Sequence, residues 1–543
     1  MTSAGVLHLA NDAEFRKRVQ QNQHQLASSI RTTFDYIVCG AGSSGSVVAG
    51  RLAENPEVQV LLLEAGGDDD IPEISDPEKW VLNLDTSREW GFSTEANPDL
   101  NGRTMPYAMG RALGGGSSIN VGVWSRGHKS DWDYFAEQSD DVAWGYDSAL
   151  RLYHRIEDFH GTPDPQYRGE GGPMYLENSQ PSPQSFHHAG LEAAESQGII
   201  RFDNPNGEMM EGGGGCSTTD RIIHQGSRRS VFRSYTWPKM VQQNLTVLTD
   251  ALVTRLLFAG KRVIGVEVTR SGSLERFMAH EEVIVSLGAV QTPKLLMQSG
   301  IGDEAELSRF RIPVVQHLPG VGRNLQDHPS VSCIWEFAET PDQQSLLAEA
   351  VAFWKSDPSL ASPNLLMFPL MVPYTSAESA ARLQPKPQSW SLACVLLSPK
   401  SRGRIRLSGA AASDPPRIEA RILSDRADLK ALTEGLKVCR EIGYSTAFRR
   451  FRGKEVMPGR SNGIELQELV REGTGNFSHQ ACTAKIGTDA LSVVSADLKV
   501  YGVENLRVAD ASVLPRTMTG NTMAACVLVG ERMAEMLASK HEL

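Results

Sequence analysis

Hydrophobic and polar positions near the start of the chain follow the pattern of a strand, a helix and a second strand. Residues 34–39 (FDYIVC) form an apolar, β-branched run of the kind found in strands buried on both faces. Three glycines follow, and apolar positions then recur at helical spacing through residues 46–54. A second apolar run, 58–63 (VQVLLL), ends directly before Glu64. This order predicts a strand–helix–strand unit of about thirty residues.

The pattern outside that unit predicts further elements with different surroundings. Residues 11–28 are polar with sparse apolar positions, which predicts a helix lying on the surface. Residues 365–374 (LLMFPLMVPY) are densely apolar, and their two prolines favour a strand and turn over a helix. Residues 402–407 alternate, as a strand with one solvated face does, and residues 424–443 have the spacing of an amphipathic helix. The glycine-rich segment 197–223 is interpreted as a loop or crossing region.

Composition narrows the classes of function. The 543 residues carry 54 Lys and Arg against 65 Asp and Glu, a net charge of −11 at pH 7. Such a chain lacks the concentrated basic field that nucleic-acid backbones require, so we expect no nucleic-acid partner. The length allows about two to four structural units with a large buried core.

The seven scattered cysteines and the first residues indicate a reducing compartment. No two cysteines form a CxxC pair, so the sequence predicts neither a disulfide framework nor a zinc site, and no metal is expected. The first thirty residues hold no apolar core of signal-peptide length, and no run of about eighteen apolar residues occurs. We therefore expect a cytoplasmic protein with no membrane span.

The three glycines form the pattern Gly40-x-Gly42-x-x-Gly45 between the predicted strand and helix. Glycine allows a tight turn, backbone approach to a pyrophosphate and close packing of helix on strand, and the helix N-terminus attracts phosphate. Ser43 and Ser44 begin the helix and belong to the same predicted site. Glu64 ends the second strand, where a carboxylate can accept both hydroxyls of an adenosine ribose. The pattern predicts dinucleotide binding over a plain glycine-rich turn, but does not choose between FAD and NAD.

Two further glycine-rich blocks carry a resemblance to a known family. Residues 110–120 (GRALGGGSSIN) and 288–302 (GAVQTPKLLMQSGIG) resemble the two signatures of the glucose–methanol–choline (GMC) oxidoreductases. Residues 319–329 (PGVGRNLQDHP) and 502–512 (GVENLRVADAS) are similar to other segments of that family. The resemblance runs from Phe34 to about Leu537 and leaves residues 1–33 outside as an N-terminal extension.

The resemblance implies an α/β fold of two interleaved domains. One would be an FAD-binding, Rossmann-like GMC domain on a mainly parallel sheet, gathered from residues 34–170, 224–325 and 472–543. The other would be an α+β substrate domain on an antiparallel sheet, from residues 171–223 and 326–471. The substrate pocket is expected at their junction, where ligand clefts commonly form.

The resemblance also implies FAD as cofactor, held by residues spread over six segments. Gly40–Gly45 would meet the pyrophosphate and Glu64 the ribose, and the loop after Gly110 would lie beside the isoalloxazine. Val253, at the end of the predicted strand region 245–252, matches a backbone contact with adenine, and Asp510 matches an acidic residue near the ribityl chain. The implied set is Gly40, Gly42, Ser43, Ser44, Gly45, Glu64, Arg111, Gly114, Gly115, Asn120, Val253, Asp510, Asn521 and Thr522. Choline oxidases carry a flavin-linked His where this chain has Ile119, so we expect non-covalent FAD.

Alcohol oxidation needs a base for the hydroxyl proton while a hydride leaves the carbinol carbon for flavin N5. A neutral histidine suits that role, and the resemblance assigns it to His479. Asn521, forty-two residues later, matches the family's partner position and would donate a hydrogen bond to the substrate oxygen. The family continues close to His-Pro-x-Gly-Thr, whereas this chain has His-Gln-Ala-Cys-Thr, so the Pro and the Gly are missing. His328 is interpreted as support for the domain junction and Cys482 as a small buried hydrophobe.

The expected substrate is a neutral primary alcohol, with aryl and heteroaryl alcohols as candidates, oxidised to the aldehyde. Choline oxidases place a Glu after Asp-His-Pro to hold the trimethylammonium, and this chain has Ser330 there, which disfavours choline. The sequence leaves several points open: alcohol oxidase or alcohol dehydrogenase (O₂ or a quinone or artificial acceptor), and monomer or homodimer. A hydroxynitrile lyase-type enzyme with FAD and a non-catalytic flavoprotein are the alternative functions. A nicotinamide-dependent dehydrogenase would leave both long signatures unexplained.

Overall fold

Two seven-stranded sheets organise the computed structural model, which describes residues 13–341 and 345–538. The first sheet is mainly parallel, and its central strands are apolar and buried along most of their length, as is typical of parallel sheets. Its strands in spatial order are Leu245–Leu248, Val60–Leu63, Thr33–Cys39, Ser273–Val285, Arg262–Arg270 and Ala251–Ala259, with Leu506–Val508 also pairing with Ser273–Val285. The pairings of Arg262–Arg270 with its two neighbours are antiparallel.

The second sheet is antiparallel throughout. Its strands in order are Arg452–Met457, Pro329–Phe337, Ser389–Leu396, Leu365–Leu370, Ala350–Trp354 and Gly215–Thr218, with Gly475–Asn476 also pairing with Pro329–Phe337. Helix Arg426–Tyr444 packs on one face through its buried leucines. A four-stranded sheet contains Val123–Trp124, Asp220–Arg221, Met174–Asn178 and Glu157–His160. Three two-stranded sheets pair Arg404–Arg406 with Arg417–Glu419, Ile301–Gly302 with Gln316–His317, and Ile223–His224 with Ser227–Arg228.

Helices connect the strands and cover the first sheet. The α-helices of the described residues are Ala13–Ser28, Ser43–Leu52, Pro72–Ser75, Gly116–Ile119, Lys129–Ser139, Tyr146–Ile156, Phe186–Glu195, Val231–Tyr235, Gly288–Gln298, Glu304–Ser308, Ala377–Leu383, Arg426–Tyr444, Gly463–Gly473 and Met523–Ala538. Short 3₁₀ helices span Pro77–Asn83, Pro98–Leu100, Val142–Trp144, Glu208–Met210, Trp237–Lys239 and Ala511–Val513. Within the described ranges, no helix combines the length and apolar character needed to cross a bilayer.

The N-terminal helix Ala13–Ser28 covers an open edge of the first sheet. Gln23 Nε2 donates to the carbonyl of Leu245 (3.0 Å), and the backbone N–H of Val247 donates to Gln23 Oε1 (2.9 Å). The amide thus makes the two bonds that a neighbouring strand would make with edge strand Leu245–Leu248. The predicted surface helix is confirmed from residue 13 onward; residues 11 and 12 lie outside the described residues.

Most elements expected from the hydrophobic pattern are present, with small shifts in their ends. The first strand–helix–strand unit comprises Thr33–Cys39, Ser43–Leu52 and Val60–Leu63, and the amphipathic helix spans Arg426–Tyr444. Two expectations were wrong. The region 245–252 is two strands separated by a turn, since Asp250 has φ +52°, and Val253 lies inside the second strand. The segment 197–223 is more than a loop, because it supplies strand Gly215–Thr218 to the second sheet.

Candidate active site

The three glycines after strand Thr33–Cys39 have different surroundings. Gly40 has φ +99°, and a Cβ there would lie 2.4 Å from the carbonyl oxygen of Ser286. A Cβ on Gly45 would lie 1.9 Å from the carbonyl oxygen of Gly40. A Cβ on Gly42 would meet nothing within 4 Å. Two of the glycines are therefore required by the packing of the chain on itself, and the third faces open space.

Helix Ser43–Leu52 begins at this open space with an uncapped N-terminus. Gly42 is its N-cap residue and offers no side-chain cap, so the N–H groups of the first turn have no intrahelical partner. These groups and the helix dipole favour an anion at this point. The Ser44 hydroxyl donates to the carbonyl of Cys526 (2.7 Å), so this side chain joins two helices and leaves only its backbone N–H for a ligand.

Glu64 lies beside the glycine turn and is almost fully buried. Its Oε2 accepts the N–H of Ala41 (3.0 Å) and its Oε1 accepts the N–H of Gly66 (2.9 Å). Burial raises the pKa of Glu64 to about 7, although these bonds and the nearby Arg111 guanidinium oppose the rise. Each carboxylate oxygen has a second acceptor position. Glu64 therefore fixes the turn and can still accept bonds from a ligand's hydroxyl groups.

The loop that contains Gly114 and Gly115 runs against the glycine turn. The N–H of Gly114 donates to the carbonyl of Ala41 (2.7 Å), and a Cβ on Gly115 would lie 2.8 Å from the Cα of Gly42. Arg111, before this loop, places its guanidinium 5.1 Å from the centre of the Trp90 ring. The structure thus brings the first and second glycine clusters into contact, as their shared predicted role requires.

Asn120 ends the same loop and is held from two sides. Its Oδ1 accepts bonds from the N–H of Gly122 (2.9 Å) and from Arg228 Nη1 (3.0 Å). Its Nδ2 lies 3.4 Å from the Met523 sulfur. Met523 begins helix Met523–Ala538, directly after Asn521 and Thr522. Asn120 therefore links the glycine loops to the segment that carries Asn521.

Asp510 and Val253 are two further members of the predicted FAD site. Asp510 Oδ2 accepts the N–H of Gly288 (2.9 Å) and the Thr292 hydroxyl (2.6 Å), and burial raises its pKa. Val253 lines a small cleft at the end of strand Val60–Leu63. The other residues lining this cleft are Leu63, Ala65, Trp90, Ala251, Leu252, Leu287, Gln291, Lys294, Leu295, Gln298 and Ala412. The cleft is mostly apolar and adjacent to Glu64.

His479 and Asn521 are in direct contact. His479 Nε2 lies 3.2 Å from Asn521 Nδ2, and both side chains are about nine-tenths buried. Gly520 has φ +139°, and a Cβ there would lie 2.1 Å from the Ser125 hydroxyl oxygen, so only glycine lets the chain present Asn521 in this way. Burial lowers the pKa of His479 to about 4. The imidazole is therefore neutral at physiological pH, as a base must be.

A second histidine and a carboxyl group complete the cluster. His328 Nδ1 lies 2.9 Å from His479 Nδ1, so His328 contacts the predicted base directly. Asp327 Oδ1 accepts the backbone N–H groups of His328 (2.7 Å) and His479 (2.8 Å). Burial without a cation raises the pKa of Asp327 to about 7, and the nearby Tyr107 hydroxyl offsets this only in part.

The departure from the family pattern after His479 has a visible structural consequence. Cys482 stands where the family motif has Gly, and its φ is +75°, in the left-handed region that favours glycine. Its thiol is fully buried and free, as expected for a small hydrophobe. The N–H of Cys482 donates to the carbonyl of Ala511 (3.0 Å), which holds the loop in this conformation.

Aromatic side chains lie next to His479. The Phe477 ring lies 5.4 Å from the His479 ring, stacks on Phe368 at 5.9 Å and meets Tyr374 edge-on at 6.0 Å. Phe477 packs on an uncharged cluster that includes one face of the second sheet: Val123, Met209, Met210, Ala348, Val351, Phe353, Leu366, Phe368, Val395 and Leu397. We refer to Phe368, Tyr374 and Phe477 as the aromatic wall.

The sequence did not identify every member of this site. Asp327 and His328 were recognised as part of a family-like segment, but their contact with His479 spans 151 residues of chain and has no local signal. Phe368 and Phe477 lie in strands or loops where aromatic residues are ordinary core material. Among the described residues, no three His, Cys, Asp or Glu side chains are placed to hold a metal ion.

Comparisons with known proteins find relatives over most of the chain. A family model described as GMC oxidoreductase matches residues 34–330, and a second of the same description matches residues 399–530. An oxygen-dependent choline dehydrogenase from Citrobacter koseri is 33% identical over 543 residues, covering 94% of this chain and 96% of that protein. The crystal structure of pyridoxine 4-oxidase from Mesorbium loti matches with a TM-score of 0.88 at 29% identity, over 94% and 99% of the two chains. A fungal aryl-alcohol oxidase has the same fold, with a TM-score of 0.81 at 22% identity over 95% and 100% of the chains.

Proposed function

The chain belongs to the GMC oxidoreductase family, whose members oxidise CH–OH donors with FAD, and we propose that its substrate is a neutral primary alcohol. The product would be the aldehyde. The observation that carries the proposal is the neutral, buried imidazole of His479 beside the Asn521 amide, with the aromatic wall in front of it.

The crevice at the glycine turn fits FAD on three observations. Gly42 leaves room for a group to approach the backbone, the helix at Ser43 begins without a cap, and a mostly apolar cleft lined by Val253 lies next to the neighbours of Glu64, Leu63 and Ala65. When bound, FAD accepts the hydride that leaves the carbinol carbon. The residues that would hold it are Gly40, Gly42, Ser43, Ser44, Gly45, Glu64, Arg111, Gly114, Gly115, Asn120, Val253, Asp510, Asn521 and Thr522.

We propose that the flavin is held without a covalent bond. Ile119 stands at the position where choline oxidases carry the histidine that links to FAD, and its side chain has no nucleophile. Acid precipitation should therefore leave the yellow colour in the supernatant. Colour retained by the washed protein pellet would contradict non-covalent binding.

The proton of the alcohol would pass to His479 Nε2. In the structure Asn521 Nδ2 lies 3.2 Å from this atom and can donate to its one lone pair. A bound alcohol would replace that bond with its own O–H, and Asn521 would then donate to the substrate oxygen. Because the amide stays neutral, it orients the alcohol without competing for its proton. A positioned base of this kind contributes about 10²- to 10⁴-fold to the rate.

The substrate class follows from the charge around the aromatic wall. Aromatic rings bind either an aryl group or a quaternary ammonium ion. A quaternary ammonium ion also needs a carboxylate, but Ser330 is buried with its hydroxyl 3.4 Å from that of Tyr374. Asp327 lies beneath the two histidines with a raised pKa, which disfavours its charged form. We therefore propose aryl and heteroaryl alcohols over choline.

An anaerobic stopped-flow panel tests the proposal. Benzyl alcohol or a pyridinemethanol should bleach the flavin absorbance faster than choline does at equal concentration, and 1-butanol should be intermediate. Admitting air afterwards distinguishes O₂ from a quinone as the electron acceptor. If no alcohol bleaches the flavin while a cyanohydrin is cleaved, the protein is a lyase, and the proposal fails. Faster bleaching by choline would overturn the substrate class alone.

A further inference from the structure

The two histidines of the site form an unusual pair. Their Nδ1 atoms are 2.9 Å apart, and the ring planes meet at 87°. The backbone N–H groups of both residues donate to one oxygen of Asp327, which fixes the two rings relative to each other. Since the contact joins two atoms of the same kind, a hydrogen bond requires that one ring carry its proton on Nδ1 and the other not.

The other end of His479 determines which ring that is. Its Nε2 faces Asn521 Nδ2, which can only donate, so Nε2 must accept and carry no proton. Neutral His479 then holds its proton on Nδ1 and donates it to His328 Nδ1. His328 in turn carries its own proton on Nε2, and the backbone carbonyls of Leu397 and Met518 favour a proton on this ring. Neither carbonyl oxygen forms a well-oriented hydrogen bond with His328 Nε2.

We propose that His328 is a positioning residue that holds His479 in the Nδ1-protonated tautomer and so leaves Nε2 without a proton and able to take one from the substrate. The inference rests on the proposed role of His479 as the base. After His479 has taken the substrate proton, its Nδ1–H bond to His328 becomes charge-assisted and stronger. His328 thereby favours the protonated base, whose formation burial opposes.

Two substitutions at His328 separate this role from simple packing. His328→Asn places a carbonyl oxygen near the position of Nδ1 and keeps an acceptor for the His479 proton. His328→Leu removes the acceptor and leaves a side chain of similar size. The matched control is His187→Leu, because His187 is also fully buried, has a pKa lowered to about 4 and lies outside the site.

The readout is the limiting rate of flavin reduction by benzyl alcohol, with FAD content measured for each variant. We expect His328→Leu to lower this rate by about tenfold or more, as a base in the wrong tautomer does. His328→Asn should stay within about threefold of the wild type, and His187→Leu should leave the rate unchanged. Equal rates in the wild type and His328→Leu would overturn the inference, as would equal losses in the Asn and Leu variants.

A spectroscopic measurement remains decisive if benzyl alcohol does not reduce the wild type or if a variant does not fold. ¹⁵N NMR of the histidine side chains in the FAD-loaded wild type, assigned by comparison with His479→Ala, reports which ring nitrogen carries the proton. A protonated Nδ1 and unprotonated Nε2 on His479 supports the inference, even if the proposed function fails. The opposite tautomer overturns it, even if the flavin is reduced.

Discussion

The glycine crevice and the histidine cluster are two adjoining regions built in opposite ways. The crevice is made of backbone: Gly40 and Gly45 are needed because any Cβ would strike a carbonyl oxygen. The histidine cluster is made of side chains, with Asp327, His328 and His479 held by mutual hydrogen bonds. The packing of the crevice is therefore sensitive to one added carbon atom. The hydrogen bonding of the histidine cluster is sensitive to the loss of one donor or acceptor.

A helix joins the two regions into one unit. Helix Met523–Ala538 follows Asn521 directly and packs on helix Ser43–Leu52, which begins at the glycine turn. A Cβ on Gly530 would lie 2.8 Å from the Cβ of Val47, so the helices are in close backbone contact. Damage to one region can therefore appear in the other, and each experiment must measure both FAD binding and flavin reduction.

The substitution with the largest expected effect changes the histidine cluster and leaves the crevice unchanged. His479→Ala should lower the rate of flavin reduction by at least about 10²-fold, because the alcohol then loses its proton to water alone. The crevice contains none of the removed atoms, so FAD content should be unchanged. Stopped-flow absorbance under anaerobic conditions measures the first quantity and the flavin spectrum the second. A rate like that of the wild type would remove His479 from the mechanism.

The converse test changes the crevice and spares the cluster. Gly45→Ala should lower the free energy of unfolding by about 3 kcal/mol or more. Its Cβ would lie 1.9 Å from the carbonyl oxygen of Gly40, so the backbone would have to shift. Gly42→Ala is the matched control, because the same carbon enters open space there. We expect Gly42→Ala to keep the stability of the FAD-free chain and to weaken FAD binding. Urea unfolding measures the stability of each variant, and FAD titration measures its affinity for FAD. Equal destabilisation by Gly42→Ala and Gly45→Ala would contradict the proposal that the space at Gly42 receives the ligand.

The contrast also explains how much the sequence could predict. The crevice is encoded locally, since turn, helix start and Glu64 fall within one short stretch, and the strands there are continuous apolar runs. The histidine cluster depends on where separate segments meet: Asp327 and His479 are 152 residues apart and touch only because strand Pro329–Phe337 pairs with Gly475–Asn476. No spacing rule predicts such a meeting. The role of His328 could therefore not be inferred before the fold was known.

A smaller effect concerns the pH dependence of stability. The pKa of Asp327 is raised to about 7 by burial, so the folded state holds its proton between about pH 4 and pH 7 while the unfolded chain releases it. Stability should therefore fall as the pH rises through this window. Asp327→Asn removes the charge and keeps an oxygen that can accept the N–H groups of His328 and His479.

We expect Asp327→Asn to flatten this dependence by about 2 to 4 kcal/mol between pH 4 and pH 8. Unfolding free energies measured in urea at both pH values give the difference. Glu64→Gln is the comparison in the crevice. Since burial raises the pKa of Glu64 to about 7 as well, this variant should also flatten the profile, but the loss of one accepted N–H bond should lower stability at every pH. A wild-type profile as steep as that of Asp327→Asn would mean that Asp327 is ionised in the folded protein across this range.

The smallest expected effect concerns Cys482, a non-glycine residue near His479 whose backbone has the left-handed conformation that favours glycine. Cys482→Gly and Cys482→Ala both delete the buried thiol and differ only in Cβ. At φ +75° we expect the Gly variant to be more stable than the Ala variant by about 1 kcal/mol, because a Cβ raises the energy of a left-handed backbone conformation. The same pair of substitutions at Cys39, buried in strand Thr33–Cys39, should show the opposite order, since glycine weakens a regular strand. Unfolding midpoints in urea measure all four variants. If the Ala variant were the more stable one at both positions, the loop after His479 would carry no strain at Cys482. The glycine that the family has at this position would then be of no benefit to stability here.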